Sequence, residues 1–420
     1  MKSQPDFDIA ICGGGMVGAT LAGLLLHEPA LSDLRIALIE AHMPTQPPTS
    51  NVELRVSAIS RASERILTRA GAWPHIPAAQ RSAYQQMRVW DANSQSDSKA
   101  ALEFSASALG EPNLGYIIAN NWLQWAALDA TRDERITCLT SQLDQIELSE
   151  DCASITLQDG RRISARLVIG ADGAASRSRT CVGIQSRVRP YQQTALVAQV
   201  RTQRSHQSTA WQRFMPNGPI AFLPLNNGDC SIVWTTTPDH AAQLSAMDAV
   251  SLASAITVAS DQVLGEVTLV SKTATFPLQW AQAEEYCRHR FVLVGDAAHS
   301  IHPLAGQGVN LGLMDAAALV QLMSEARQSG VSIETLSELS VLRRYERWRK
   351  TENTLALGLV DSLNRLFSNE RISTSWLRRT GLAAVQKLPF IKRQLMMRAL
   401  GLAGEVPTMV SRYDKTDGIK

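Results

Sequence analysis

The chain has 420 residues, enough for two or three domains at about 100–200 residues per domain. Apolar residues make up 45% and charged residues 19%, which supplies a sizeable core and excludes a disordered or fibrous protein. With 41 Lys and Arg against 39 Asp and Glu, the net charge of +2 argues against nucleic-acid binding through a general basic surface. Six cysteines without CxxC or metal-ligand spacing favour a reducing, cytoplasmic compartment.

The first apolar stretch, residues 9–26, is uncharged and close to the lower length limit of a membrane span. Asp6 and Asp8 precede it, which is atypical of a signal peptide, and glycines 13–15 interrupt it. We therefore predict a buried strand over 7–12, a glycine turn, and a helix to about residue 26. With a second strand over 34–40, these elements make one βαβ unit.

The glycine turn has the spacing Gly13-x-Gly15-x-x-Gly18. Glycine is needed here because a side chain would keep a pyrophosphate away from the backbone amides at the helix start. Glu40 ends the second strand, where a carboxylate can accept hydrogen bonds from a ribose hydroxyl. The combination predicts a site for an adenine dinucleotide and leaves open whether that is FAD or NAD.

Along the rest of the chain, the predicted secondary structure changes character twice. A helix is predicted over 62–70, and a hairpin over 153–169 turns at Asp159-Gly160. Strand-like runs follow at 194–200, 219–225 and 230–236, then a buried strand at 291–295, a helix to about 323 and a helical remainder. This order predicts a nucleotide-binding domain assembled from separated segments, with an antiparallel sheet inserted.

Two later segments bear on the choice between FAD and NAD. Residues 168–176 run from an apolar strand into Gly170-Ala171-Asp172-Gly173. Residues 294–312 deliver Asp296 from another apolar strand, and the turn Gly306-Gln307-Gly308 then opens a helix whose amides can face an electron-rich ring.

With these motifs the sequence resembles the aromatic hydroxylases among the flavoprotein monooxygenases, and in particular the ubiquinone-biosynthesis hydroxylase family. The resemblance rests on GDAAHSIHPLAGQGVNLG at 295–312, RVSAIS at 55–60 and GADGAAS at 170–176, with FLPL at 222–225 and SIVW at 231–234. One departure is Ala119, which precedes Asn120 where the family more often has an acidic residue.

The resemblance implies the p-hydroxybenzoate hydroxylase fold, with an α/β Rossmann-like FAD-binding domain, an inserted antiparallel β-sheet substrate domain and a helical C-terminal tail. We expect the FAD-binding domain to comprise residues 1–80, 111–185 and 275–340. The substrate domain would comprise 81–110 and 186–274, and the helical region 341–420.

The resemblance also implies roles for individual residues. One set of residues would bind FAD through its pyrophosphate, its ribose, the flavin chain and the isoalloxazine ring. These residues are Gly13, Gly15, Gly18, Glu40, Arg55, Gln124, Asp172, Asp296, Gly306, Gly308, Asn310 and Leu311. Apolar walls for the substrate would come from Phe222, Leu223, Leu225 and Trp234. We expect His299 and His302 to shape the flavin loop rather than to act as acid or base, and we assign no catalytic residue and no metal.

The implied activity is hydroxylation of a polyprenylated phenol in ubiquinone biosynthesis, using NAD(P)H and O2 through a flavin C4a-hydroperoxide. NAD(P)H would dock transiently, because the sequence has no second GxGxxG. The alternatives are an epoxidase, a prenyl reductase, a halogenase (although the WxWxIP segment of halogenases is missing), or a flavin-bearing scaffold subunit of a quinone-biosynthesis complex.

The last stretch, Arg371 to Gly404, has seven basic residues, no acidic ones and interleaved apolar residues. Such helices can lie on anionic lipid or dock a protein of the same pathway. A helix packed on the core with a solvated basic face is the simpler explanation, and we favour it. We therefore expect a cytoplasmic protein, with a peripheral position on the inner membrane as the alternative.

Overall fold

A computed structural model describes residues 4–49, 53–92, 96, 101–300, 308–367, 393–394, 396–398 and 400–411. The strands are β1 (Phe7–Cys12), β2 (Ile36–Glu40), β3 (Val56–Ser60), β4 (Ser82–Tyr84), β5 (Gln86–Asp91), β6 (Leu102–Ser105), β7 (Gly115–Ala119), β8 (Ile136–Thr140), β9 (Leu143–Leu148), β10 (Ala153–Leu157), β11 (Arg162–Gly170), β12 (Ser186–Thr202), β13 (Thr209–Phe214), β14 (Ile220–Pro224), β15 (Cys230–Thr236), β16 (Val267–Leu269), β17 (Ala274–Ala283), β18 (Cys287–Arg288), β19 (Phe291–Leu293) and β20 (His299–Ser300). The helices are α1 (Met16–His27), α2 (Arg61–Arg69), α3 (Asn120–Asp129), α4 (Arg177–Cys181), α5 (Pro238–Ala246), α6 (Ala249–Ala259), α7 (Gly308–Gln328), α8 (Ile333–Leu336) and α9 (Leu339–Phe367).

The first sheet is built around parallel strands, in the order β18-β19-β11-β1-β2-β8. Its central strands are buried almost throughout, as continuous apolar runs in a parallel sheet require. The register pairs Cys12 with Gly170, and Gly170 with Leu293, so β1, β11 and β19 end side by side. The predicted hairpin is confirmed: β10 and β11 pair around a turn in which Gly160 has a φ of +86°.

The second sheet, of nine strands, runs β20-β17-β12-β15-β14-β13-β5-β6, with β16 beside β12. Helices α5 and α6 cover one face and enclose a core that includes Leu196, Phe222, Ile232, Trp234 and Ile256. Its strands are antiparallel except for the parallel pair β5 and β13. An inserted antiparallel sheet agrees with the strand-like runs predicted at 194–200, 219–225 and 230–236.

A small sheet, β3-β7-β4, contacts β14 of the second sheet through β4 and helix α7 through β3. Asn310 on α7 joins it to the first layer: its Oδ1 accepts from the Ser60 backbone N–H at 3.0 Å, and its Nδ2 donates to the Ala58 carbonyl at 2.8 Å. Because both ends of a buried amide are satisfied, this contact fixes where the helix begins relative to β3.

Residues 275–283, which we expected in the FAD-binding domain, belong to β17 and pair with β12 in the second sheet. Strand pairing does not define where a domain ends, so all of the predicted domain boundaries stay predictions.

The stretch 9–26, which approaches the length of a membrane span, divides into β1 and α1. In the part of the chain that the structure describes, no helix combines enough length and apolar character to cross a membrane. Most of the basic stretch 371–404 lies outside the described residues.

Candidate cofactor and active site

A cleft of about 960 Å³ opens at the carboxyl ends of β1, β2, β11 and β19 and extends to one face of the second sheet. Ligands of open α/β sheets bind at such strand ends. Of the residues predicted for the cofactor, those lining it are Gly13, Gly15, Glu40, Arg55, Asp172, Asp296 and Gly308. The parallel register thus brings together segments that are far apart in the sequence.

The three glycines of the first turn serve two different purposes. Gly13 has a φ of +111°, and a Cβ there would overlap the Ala171 carbonyl. A Cβ at Gly18 would overlap the Gly13 carbonyl, so both positions are glycine because backbones approach closely. A Cβ at Gly15 would meet no protein atom within 4 Å. Gly15 therefore faces open space at the start of α1, as a pyrophosphate cradle requires.

Glu40 and Gln124 hold this turn from two sides. Glu40 accepts hydrogen bonds from the backbone N–H groups of Gly14 at 2.8 Å and His42 at 3.1 Å, and it lines the cleft. Gln124 donates from Nε2 to the Gly14 carbonyl at 3.1 Å and does not line the cleft. That Gln124 approaches the flavin chain stays a prediction; in the structure its Nε2 is engaged by the backbone of the turn.

Asp172 is fixed by hydroxyl groups of the segment that follows it. Its Oδ1 accepts from Ser176 Oγ at 2.6 Å and Ser178 Oγ at 2.8 Å, and its Oδ2 accepts from the Ser178 backbone N–H at 2.8 Å. The carboxylate is thus held rigidly at the cleft wall, next to the Asp296 segment.

Asp296 lies in a single 3-10 turn, Gly295–Ala297, and its side chain is open to the cleft. Removal from bulk water deep in the cleft raises the pKa of this carboxyl group, while His299 and Arg55 act in the opposite direction. Arg55 lies across the cleft with its guanidinium 5.4 Å from the centre of the Phe276 ring. A hydrogen-bonding carboxylate and a cation are therefore both presented to a ligand.

The start of α7 forms another part of the wall. Gly308 and Val309 line the cleft, and the first N–H groups of a helix have no partner within it. Asn310 and Leu311 do not line it, and the Asn310 side chain is bound to β3; contact of their backbone with the cofactor stays a prediction. Gly306 and His302 lie outside the described residues.

Of the predicted apolar walls, Phe222 and Trp234 need a correction, while Leu223 and Leu225 stay predictions. Phe222 and Trp234 project from β14 and β15 into the core beneath α6, on the face away from the cleft. Leu223 and Leu225 project the other way, towards the small sheet, but do not line the cleft. The wall is formed instead by small and branched residues on the open face of the second sheet and by β17: Ala195, Val197, Val233, Phe276 and Leu278.

Several polar residues of the cleft were not predicted from the sequence. Ser57 donates from Oγ to Asn120 Oδ1 at 2.7 Å, and both line the cleft. The Ser300 hydroxyl lies buried at the cleft without a hydrogen-bond partner among the described residues. A buried hydroxyl of this kind is costly unless a ligand satisfies it. Ser57 lies within RVSAIS and Ser300 within GDAAHS, and these motifs were the available signal.

His299 is not open to a substrate, since only 1% of its surface is exposed. Its Nε2 donates to Asp315 Oδ2 at 2.6 Å, and the Gly295 backbone N–H donates to the same oxygen at 3.1 Å. Burial alone would raise the pKa of Asp315, but His299 and Arg349 outweigh it and lower the pKa to about 2. The histidine therefore shapes the loop that carries Asp296, as expected. Across the described residues, no cluster of ligand side chains suited to a metal ion occurs.

A family model described as an FAD binding domain matches residues 6–338, most of the chain and all of the cleft residues described above. The chain belongs to this FAD-binding family. It is 36% identical to 3-demethoxyubiquinol 3-hydroxylase of Escherichia coli K12, over 96% of this chain and 100% of that protein. It is 35% identical to the human ubiquinone biosynthesis monooxygenase COQ6, over 93% of this chain and 92% of that protein.

Among solved structures, p-nitrophenol 4-monooxygenase PnpA from Pseudomonas putida superposes with a TM-score of 0.73 at 17% identity, covering 94% of this chain and 98% of that one. The predicted p-hydroxybenzoate hydroxylase fold is therefore confirmed, as is the resemblance to the ubiquinone-biosynthesis hydroxylases. The protein is an FAD-dependent monooxygenase.

The residues present fit FAD. The open space at Gly15, the Ser300 hydroxyl, which has no partner among the described residues, and the amides at the start of α7 all face one cleft. This cleft is long enough to reach from the Glu40 end to the second sheet. Acidic groups at both ends suit the hydroxyl groups of the ribose and of the ribityl chain.

Substitutions at Gly15 and Gly18 distinguish loss of cofactor binding from loss of packing. Gly15→Val should fold normally and lose FAD, because its side chain enters space that only a ligand occupies. Gly18→Val should destabilise the protein even without FAD, because its side chain overlaps the Gly13 carbonyl. Flavin absorbance of the purified variants and thermal unfolding of the apoproteins measure the two effects. A Gly15→Val protein with a full complement of FAD would contradict the assignment.

Asp315→Asn should lower the free energy of unfolding by about 3–5 kcal/mol at pH 7, the usual cost of leaving a buried partner charge uncompensated. Because the folded pKa of about 2 lies below the unfolded value of about 4, this stabilisation is present above pH ~4 and is lost as pH falls towards 2. Urea unfolding at several pH values checks this.

The matched control is Asp159→Asn, whose carboxyl also has a pKa of about 2 but is solvent-exposed at the hairpin turn. It should change stability little at any pH, because solvent screens its pairing with Arg161. An equal loss in both variants would show that burial of the Asp315 charge is not the cause.

Proposed function

We propose that this protein hydroxylates the aromatic ring of a polyprenylated phenol intermediate of ubiquinone biosynthesis, consuming NAD(P)H and O2. The observation that carries the proposal is the match to 3-demethoxyubiquinol 3-hydroxylase and to COQ6 over nearly the full length of all three chains. Ubiquinone hydroxylase UbiL of Rhodospirillum rubrum, 35% identical over 94% of this chain, supports the same substrate class.

The cleft suits this chemistry because the cofactor cradle and an apolar surface are parts of one space. Ala195, Val197 and Val233 present only aliphatic groups, so an electron-rich ring can lie against them while water is excluded. Bound FAD supplies the redox chemistry and the activated oxygen in this class of enzyme. The protein's part is to position the cofactor and the ring, and to keep the reaction dry.

We assign the cofactor contacts residue by residue. The start of α1 at Gly15 would bind the pyrophosphate, and Glu40 the ribose of the adenosine. Asp172 would bridge towards the pyrophosphate region, and Asp296 would hold the ribityl or phosphate part of the cofactor. The amides of Gly308 and Val309 would face the electron-rich ring. Arg55 would supply a cation near the cofactor.

A polyprenyl tail would hold such a substrate in a lipid bilayer, so we also propose that the protein meets the membrane surface through the basic stretch 371–404. Exchange of Lys387, Lys392 and Arg393 for Gln should reduce sedimentation with anionic vesicles and leave sedimentation with neutral vesicles unchanged. Unchanged binding to anionic vesicles would contradict this surface and favour a helix packed on the core.

The decisive measurement is a turnover assay with the purified, FAD-loaded protein. Addition of a prenylated phenol should stimulate NAD(P)H oxidation and yield a product with one additional ring hydroxyl group, located by NMR because an epoxide would have the same mass. An epoxide or a halogenated product would instead favour one of the other activities of this fold. Normal quinone production in a deletion strain carrying the flavin-free Gly15→Val variant would favour a scaffold role.

A pair of variants tests the proposed apolar wall in the same assay. Val233→Trp should fill the cleft and raise KM at least about tenfold, because a bulky ring occupies space against which substrate packs. Val258→Trp is the control: this valine is 67% exposed on α6, on the opposite side of the second sheet. Equal kinetics for the two variants would place the substrate elsewhere.

A further inference from the structure

The loop that presents Asp296 is held by a buried cluster centred on Asp315 of α7. Two donors on one carboxylate oxygen, the Gly295 N–H and His299 Nε2, come from the loop itself. The other oxygen accepts from Arg349 Nε at 2.8 Å and from Asn353 Nδ2 at 3.0 Å, both on α9. The carboxylate therefore joins the cofactor loop to the C-terminal helix.

Arg349 is an unusual residue for this place. Only 2% of its surface is exposed, and it lies beyond residue 338, where the match to the FAD binding domain ends. One of its two terminal amino groups donates to Asn353 Oδ1 at 3.0 Å, so it is held from its own helix as well. A buried cation is costly unless its partner is present and ionised. Burial of the Arg349–Asp315 pair therefore costs free energy, and its presence here needs a reason.

The geometry of the loop supplies that reason. Gly295 and His299 bracket Asp296, and both bind the same oxygen of Asp315. Arg179 binds the intervening Ala297 carbonyl, and the Tyr286 ring stacks on His299 with 6.1 Å between ring centres. The Asp296 side chain itself is open to the cleft. The backbone of this turn is therefore clamped on both sides of its one ligand-facing carboxylate.

We propose that Arg349 is a positioning residue for the cofactor: through Asp315 it fixes the Gly295–His299 loop and so sets where Asp296 meets FAD. Helix α9 is then part of the FAD site although it lies outside the matched domain. Arg349 keeps the Asp315 carboxylate ionised and oriented. Asp315 itself does not line the cleft. The inference concerns cofactor binding alone, so it stands or falls separately from the proposed substrate.

The test is FAD binding by the full-length apoprotein, measured by quenching of flavin fluorescence and by the visible spectrum of the bound flavin. Arg349→Met keeps the volume and removes the cation. We expect it to raise the Kd for FAD about tenfold, the effect typical of losing an outer hydrogen-bonding partner of a ligand group, and to alter the flavin spectrum. Arg349→Lys restores the charge with a less specific geometry and should recover part of the affinity.

The matched control is Arg290→Met. Arg290 is also a buried arginine, but it binds the carbonyls of Glu150 and Arg166 and the Ser337 hydroxyl, at the opposite end of β19 from the Asp296 loop. It should lower the urea midpoint while leaving the FAD Kd and the flavin spectrum unchanged. Comparable losses of FAD in both Met variants would overturn the proposal, because they would reflect general destabilisation.

A second outcome would also overturn it. If Arg349→Met were destabilised to urea but bound FAD with wild-type affinity and spectrum, Arg349 would have a purely structural role. Should Arg349→Met fail to fold, Arg349→Lys decides the question: an altered spectrum and weaker FAD binding in a folded protein support positioning, and wild-type values contradict it.

Discussion

The parallel pairing of three strands is the constraint on which the rest of the structure depends. Cys12 of β1, Gly170 of β11 and Leu293 of β19 lie in register, so the residues that follow them leave the sheet at one edge. No local interaction could bring residues 13, 172 and 296 together, since more than a hundred residues separate each from the next. A slip of the register would move the glycine turn relative to both acidic segments and dismantle the cleft.

Glycine makes this convergence possible at close range. Gly13 and Gly18 have no room for a side chain because the backbones of the first turn, α1 and the β11 end are in contact there. Gly312 on α7 has the same role: a Cβ there would overlap Val17 of α1. The two helices whose first turns face the cleft are therefore packed against one another, and their N–H groups are aimed at a common volume.

The structure agrees best with the predictions that rest on a local pattern dictated by chemistry. The continuous apolar strands, the glycine spacing and the Asp159-Gly160 turn each have one physical interpretation, and the structure contains all of them. The agreement is weakest where the prediction depended on which face of a strand another element covers. Phe222 and Trp234 have the correct composition for a substrate wall, but α6 covers their face, and nothing within β14 or β15 indicates that. Neighbouring Val233, one position away, faces the cleft instead.

Polar residues near the cofactor present a related ambiguity, because an amide that suits a ligand suits the backbone equally well. Gln124 and Asn310 were both assigned to the cofactor, yet each binds main-chain groups of a wall element, the Gly14 carbonyl and the β3 backbone respectively. The difference matters for catalysis. A site that must exclude water and hold a cofactor within fractions of an ångström needs walls that do not relax when the cofactor leaves. Side chains satisfied by the protein itself provide that rigidity, and those with no hydrogen-bond partner in the described part of the chain, such as Asp296 and Ser300, can meet the ligand.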